Sequence, residues 1–325
     1  MKIKSWPIKS LFVLFLLSAS FVINAQDLNE AKKMFNEGLN VMKEQPQKAV
    51  NNFEEVISIC NELGGEAQTL QVKAENQLPV AYYNLGKNKY QNRDMDGAIE
   101  AFKKASELGE QYNNTTVTEK ANNVLFQYYR NRGVKFYKKK SFEKALEEYK
   151  LAEKFKPDEP SIYYYKGLAY LKQKNNEKFE EAMKKANKTA EEQDDQQYIN
   201  KTGNSLRNFY GREAQQELNN GNNEEAISLS KKALNYDEEF VSAYFFMAQA
   251  HNSLSQYDQA IEAAQKALEL EEDDNEKKAR FYYQLGIAYK GNGDTAKACE
   301  AYENAAYGDF AERAKYEREE VLNCP

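Results

Sequence analysis

The sequence predicts an all-α solenoid in which helices pair off and stack, and three observations predict it. Small residues return at a fixed interval of 34, as from Gly133 to Gly167 and from Ala226 to Ala260. Between such markers the apolar residues fall at helical spacing, as at Ala98, Phe102 and Ala105. Turn-forming clusters such as Asn92 to Asp96 separate the helical runs in pairs. A chain of 325 residues would ordinarily divide into two globular domains, but a repeating chain grows by stacking and not by enlarging one core.

Residues 1–25 form the first element. Lys2, Lys4 and Lys9 precede the apolar run LFVLFLLSASFVI (Leu11 to Ile23), which ends at Asn24-Ala25. A basic head, a short apolar stretch and a small final residue predict a cleavable secretory signal, with Ala25 the last residue removed. The run is shorter than the ~20 residues a spanning helix needs. No cysteine follows it, so a lipid-modified N-terminus is disfavoured. The expected address is therefore outside the cytoplasm: periplasmic first, secreted second. No second apolar run follows, so no membrane span is expected after the signal is removed. The net charge of −6 falls to about −9 once the three signal lysines are gone. An acidic chain with interspersed signs does not suit nucleic acid or docking on anionic lipid by charge alone.

Residues 26–112 hold two units. The first is degenerate, with Gly38, Ala49 and Phe53; the second reads PVAYYNLGKNKYQNRDMDGAIEAFKKASELG from Pro79. Residues 113–206 hold the third unit, marked by Gly133, Ala145, Tyr149, Ala152 and Pro157. They also hold the fourth, opened by Gly167, with Phe179 in its alanine slot. Residues 207–309 hold three more: Ala226 with Ala233, Ala260 with Ala267, and a seventh with Gly286, Tyr289, Ala298, Tyr302 and Ala305. Intervals of 49 residues (Ala49 to Ala98) and 47 (Ala98 to Ala145) predict lengthened helices over Glu66 to Leu78 and Thr116 to Phe126. Gly64-Gly65 and Asn113-Asn114 are the predicted breaks before them. Phe179 to Ala226 is another long interval. Residues 310–325 read as one amphipathic helix capping the last apolar surface.

The pattern Tyr82-x2-Leu85-Gly86…Ala98-x3-Phe102, recurring at 34 residues, resembles the tetratricopeptide repeat (TPR), with Tyr82 in the tryptophan slot. The resemblance implies a right-handed superhelix with the first helix of each unit lining a concave groove. It also puts Tyr82, Tyr129, Tyr163, Tyr210, Tyr244 and Tyr282 in the tryptophan slots, where they are expected to pack inside the stack. The groove would receive Tyr83, Lys87 and Tyr90, then Arg130, Val134 and Tyr137. Later units would add Tyr164, Leu168, Arg212, Phe245, Gln249, Arg280 and Tyr283. Aromatic rings mixed with arginine compose binding hot spots. A sub-type of the family clamps chaperone tails with lysine and asparagine at set groove positions. Those positions hold Tyr83, Lys87, Arg130, Val134, Tyr164 and Leu168, so the clamp is not reproduced.

No catalytic residues, metal ligands or cofactor site are expected. The single histidine, His251, has no partner at ligand spacing, and no phosphate-binding or nucleophile motif occurs. Asn92, Asp94, Asp96 and Gly97 imitate the start of a calcium loop, but its twelfth position is Lys103. The acids from Glu271 to Asp274 read as a solvated connector. Three cysteines are present, and Cys299 and Cys324 sit at the far ends of two helices expected to run antiparallel, so a disulfide is predicted between them. Cys60 reads as a small core residue. The function expected is a non-catalytic scaffold of the bacterial envelope holding a partner protein or peptide in its groove. Glycan or peptidoglycan binding through the same aromatic surface is the alternative.

Overall fold

The computed structural model describes residues 26–272 and 275–325; the expected signal segment, residues 1–25, lies outside them. Every regular element among the described residues is a helix. The chain forms two compact units, one ending at Asp158 and the other starting at Glu159. The first contains α1 (residues 26–41), α2 (Pro46–Leu63), α3 (Gln68–Gln91), α4 (Met95–Gln111), α5 (Thr115–Lys138) and α6 (Phe142–Phe155). The second begins with α7 (Pro160–Lys172), α8 (Asn176–Glu192), α9 (Gln196–Asn219) and α10 (Asn223–Leu234). It continues with α11 (Val241–Ser253), α12 (Tyr257–Leu270), α13 (Asn275–Gly291), α14 (Thr295–Asn304) and the short α15 (Ala311–Tyr316).

Successive helices pack as antiparallel hairpins, and in most of them a glycine on the first helix admits a bulky residue from the second. A Cβ on Gly86 would lie 2.8 Å from the Phe102 ring, and Gly167 stands in the same relation to Met183 at 2.9 Å. Gly133 faces Tyr149, and Gly286 faces Tyr302. Where the same slot holds Ala214 or Ala248, the residue 16 positions on is small, Ser230 or Ala264, and all four are fully buried. In that slot a bulky partner goes with glycine and a small partner with alanine, so neither pairing forces a clash between the packed helices.

One turn design recurs. Residue Arg93, Lys140, Lys174 or Ser255 adopts a left-handed backbone (φ 58 to 64°) after the first helix and is followed by the residue that opens the second. Asp94, Asn175 and Asp294 there accept the backbone N–H three residues on, at 3.0 to 3.2 Å, satisfying a donor the helix leaves free. This is the role of the residues that imitate a calcium loop: Asp94 caps α4 and binds Lys89 at 3.0 Å.

The long intervals are long helices. α3, α5 and α9 each have 24 residues, against 13 in α7 and α11. Eleven extra residues make almost three whole turns, so the added length keeps the apolar stripe on the same face. Each lengthened helix is tied to the helix before it by a polar pair. Gln71 donates to Asn61 (2.9 Å), Ser106 to Asn122 (2.6 Å) and Thr202 to Asn187 (2.6 Å).

In the first unit α3 touches α5; in the second, α7 touches α9, α9 touches α11 and α11 touches α13. The second helices of neighbouring hairpins make no comparable contact among the described residues. First helices therefore crowd together and each unit curves towards them, as the repeat resemblance implies. The segment expected as one capping helix is shorter than predicted: α15 ends at Tyr316 and a wider π turn spans Glu317–Val321. That widening brings Leu322 onto the apolar face beside Tyr283 and returns Cys324 to Cys299, with which it forms a disulfide (Cα–Cα 5.8 Å).

Candidate functional site

The tryptophan-slot tyrosines split into two groups. Tyr129, Tyr163 and Tyr210 are buried, whereas Tyr82, Tyr244 and Tyr282 are half-buried. Tyr82 reaches across to donate to Glu54 at 2.6 Å, and burial together with that carboxylate pushes its phenol far above the ordinary range. His251 is buried with Nδ1 2.7 Å from Oε1 of Gln256, a hydrogen bond across the turn that fixes its ring.

In the second unit the expected groove side chains are mostly engaged by neighbours. Tyr164 packs on Tyr165 and Tyr198, and Leu168 joins the apolar cluster around Leu206. Arg212 is exposed and lies 6.0 Å from the Phe209 ring, and Gln249 is half-buried. Arg280 lies over the rings of Phe245 and Phe281 and pairs with Glu271 at 3.7 Å; burial lowers its pKa. That pairing gives Glu271 a partner, which the solvated-connector reading did not foresee. Tyr283 does not face an open groove: it is buried between Tyr302 and Phe310, with Arg313 over its ring at 5.0 Å. The returning C-terminal segment covers that face.

The first unit is different. Tyr83 rests half-buried on Phe102 at 5.4 Å, Arg130 lies over Phe126 at 5.5 Å, and Tyr137 meets Phe142 at 5.5 Å. Lys87 and Tyr90, however, border a wedge of about 770 Å³ between the tip of the α3–α4 hairpin and the flank of α5. The wedge exists because the N-terminal half of the lengthened α5 packs along α4, while the tip of the hairpin stays clear of α5. Its floor is apolar: Met95, Ala98, Ile99, Phe102 and Val124. Tyr90 is 60% exposed and Met95 38%, large apolar surfaces left in water at the mouth.

The opposite wall is a row on α5 at four-residue spacing, Asn123, Gln127, Asn131 and Lys135, all exposed. Beyond it a second hollow of about 450 Å³ shares Asn131 and Lys135 and adds Val134, Lys138 and Lys139. The two adjoin at Asn131 and Lys135, the first with an apolar floor and the second lined by lysines. Arg132 on its rim donates to Glu148 at 2.9 Å and to the Tyr128 hydroxyl at 3.2 Å. Burial raises the pKa of Glu148, against the pull of Arg132. The α5 row escaped the sequence reading because most of it precedes or falls between the slots that name the repeat. Its signal was the polar i, i+4 spacing in a helix whose length the 47-residue interval had already flagged.

Stacked antiparallel helical hairpins with a groove beside their first helices define a helical-repeat protein. Residues 79–111, 160–193, 241–274 and 279–307 match the family model described as tetratricopeptide repeat, and residues 133–174 match one described as TPR repeat. The chain belongs to the tetratricopeptide-repeat family. Among solved structures it is similar to the TPR2AB domain of yeast Sti1 in complex with pHSP90, at 19% identity over 76% of this chain and 97% of that one (TM-score 0.32). It is also similar to YrrB, a TPR protein with an unusual peptide-binding site, at 18% identity over 57% and 90% (TM-score 0.37). A third is MamA from Desulfovibrio magneticus RS-1, at 19% over 58% and 96% (TM-score 0.33). No curated protein matches the chain.

Proposed function

We propose that the protein is a non-catalytic interaction scaffold of the bacterial envelope that holds a segment of a partner protein beside its first helices. The observation that carries this reading is the open wedge of the first unit. An apolar floor left in water, facing a row of unengaged polar side chains, is the composition of a peptide site. The basic head and apolar run before Ala25 support export, and the Cys299–Cys324 disulfide suits an oxidising compartment.

A photo-crosslinking amino acid at Gln127, in protein expressed with its own N-terminal segment, should capture a defined envelope protein. The same group at Lys150, on the outer face of α6, should not. Equal capture at both positions, or none at Gln127, rejects the wedge as the binding site. Glycan binding is the second reading, favoured by the exposed Tyr90 ring, since tyrosine faces stack on sugars. Co-sedimentation with purified sacculi that Tyr90→Ala abolishes would establish it instead.

A further inference from the structure

The row on α5 does not end at the wedge. Asn123, Gln127, Asn131, Lys135 and Lys139 follow one another at four-residue spacing, are all exposed, and line the two contiguous hollows in turn. None of the three amides bonds to another protein group, and no carboxylate pairs with Lys135, Lys138 or Lys139 among the described residues. The local charge is also anomalous. Between Arg130 and Lys156 the chain carries ten basic and four acidic residues, within a protein whose net charge is −6.

Resting on the proposed role of the wedge as a peptide site, we infer that its occupant is an extended segment with a bulky apolar side chain followed, several residues away, by carboxylates. Three features converge on this occupant. Helix positions four apart lie about 6 Å from one another along the axis. Alternate residues of an extended chain lie about 6.6 Å apart. A strand laid along α5 therefore presents a backbone amide to each of Asn123, Gln127 and Asn131 in succession. A helix or an acyl chain has no free backbone groups to offer that row. The apolar floor at Ile99, Phe102 and Val124 takes the bulky side chain. From Val124 to Lys139 is about 22 Å of helix, the span of roughly six or seven extended residues, which sets the distance from anchor to acids. Lys135, Lys138 and Lys139 supply the complementary charge, and unpaired ammonium groups at that end repel a basic segment.

The probe is a fluorescein-labelled peptide of about ten residues with one phenylalanine six residues from an Asp-Glu-Asp cluster, followed by anisotropy. It should bind the folded protein with Kd on the order of 10–100 μM and weaken as salt rises. The Asn-Gln-Asn version of the cluster should bind at least ~10-fold more weakly. Lys135→Glu with Lys139→Glu should lose the acidic peptide and gain the matching peptide with a Lys-Lys-Lys cluster, a rescue that damage to folding cannot imitate. Asn123→Ala with Gln127→Ala and Asn131→Ala, which preserves helix propensity, should weaken the acidic peptide ~10-fold.

Equal binding of the acidic and amide peptides overturns the inference, as does failure of the charge-swapped protein to prefer the lysine peptide. Lysine-dependent binding to phosphatidylglycerol vesicles without peptide binding also overturns it, and assigns the patch to lipid. If crosslinking at Gln127 captures a partner while the acidic peptide fails, the wedge reading stands and only the acidic occupant falls.

Discussion

At the scale of single residues, the stack is set by who may stand opposite a glycine. Gly133 has no Cβ because the Tyr149 ring occupies that space, and Tyr149 is fully buried. Gly133→Ala should cost about 1–3 kcal/mol in urea unfolding, because a rigid ring cannot swing aside within a packed core. The same change in a Tyr149→Ala background should cost far less, a coupling that a double-mutant cycle reads directly. Two tyrosines separate burial from hydrogen bonding. Tyr82→Phe removes the bond to Glu54 and should cost about 1 kcal/mol. Tyr302→Phe removes a buried hydroxyl that has no protein partner and should be neutral or stabilising by a similar amount. Glu148 makes a statement about pH. Its folded pKa is raised by burial, so between the ordinary value of 4.5 and the raised one the native state keeps a proton the unfolded chain has lost. Stability from this group therefore falls as pH rises through that window. Relative to the wild type, Glu148→Gln should gain stability over the same rise and lose that gain below about pH 4.5 in chemical-denaturation curves.

At the scale of elements, the C-terminal end depends on a covalent tie more than on a helix. α15 has six residues, too few to hold itself together in water, and it is followed by a π turn. The Cys299–Cys324 bond closes a 25-residue separation and should contribute about 3 kcal/mol to holding this segment over Tyr283 and Tyr302. Cys324→Ser should release the segment, seen as new proteolysis after Phe310 and accelerated amide exchange in α14. Unchanged exchange would mean that Phe310, Ala314 and Leu322 suffice. The lengthened helices were legible in sequence because the period stretched from 34 to 47 and 49 while no turn cluster interrupted the added residues. What they produce was not legible. The angle at which α5 leaves the α3–α4 tip depends on the packing of both, and that angle opens the wedge.

At the scale of the whole molecule, the main helix packing among the described residues is between helices adjacent or next but one in the chain, and the C-terminal turn reaches back to α13 through Lys290 and Glu317 at 2.6 Å. Damage should then stay local, as in any stack of nearest neighbours. Gly133→Ala should speed amide exchange in α4 to α6 while leaving α12 to α14 protected. A uniform loss of protection would show that the chain unfolds as one cooperative body.

The fold class, the hairpin pairs, the breaks at Gly64-Gly65 and Asn113-Asn114 and the Cys299–Cys324 pair were all determined by sequence. Each rests on helical periodicity, on turn chemistry or on a residue too small to be replaced, which are properties of short stretches of chain. Which aromatic rings remain open was decided only by tertiary structure. Tyr90 and Tyr283 both lie on first helices and both read as groove residues, yet one is exposed at the mouth of a wedge and the other lies under the returning C-terminus. A side chain's exposure depends on what comes to rest against it: Tyr283 is covered by Phe310, 27 positions further along the chain, and Tyr90 stays 60% exposed.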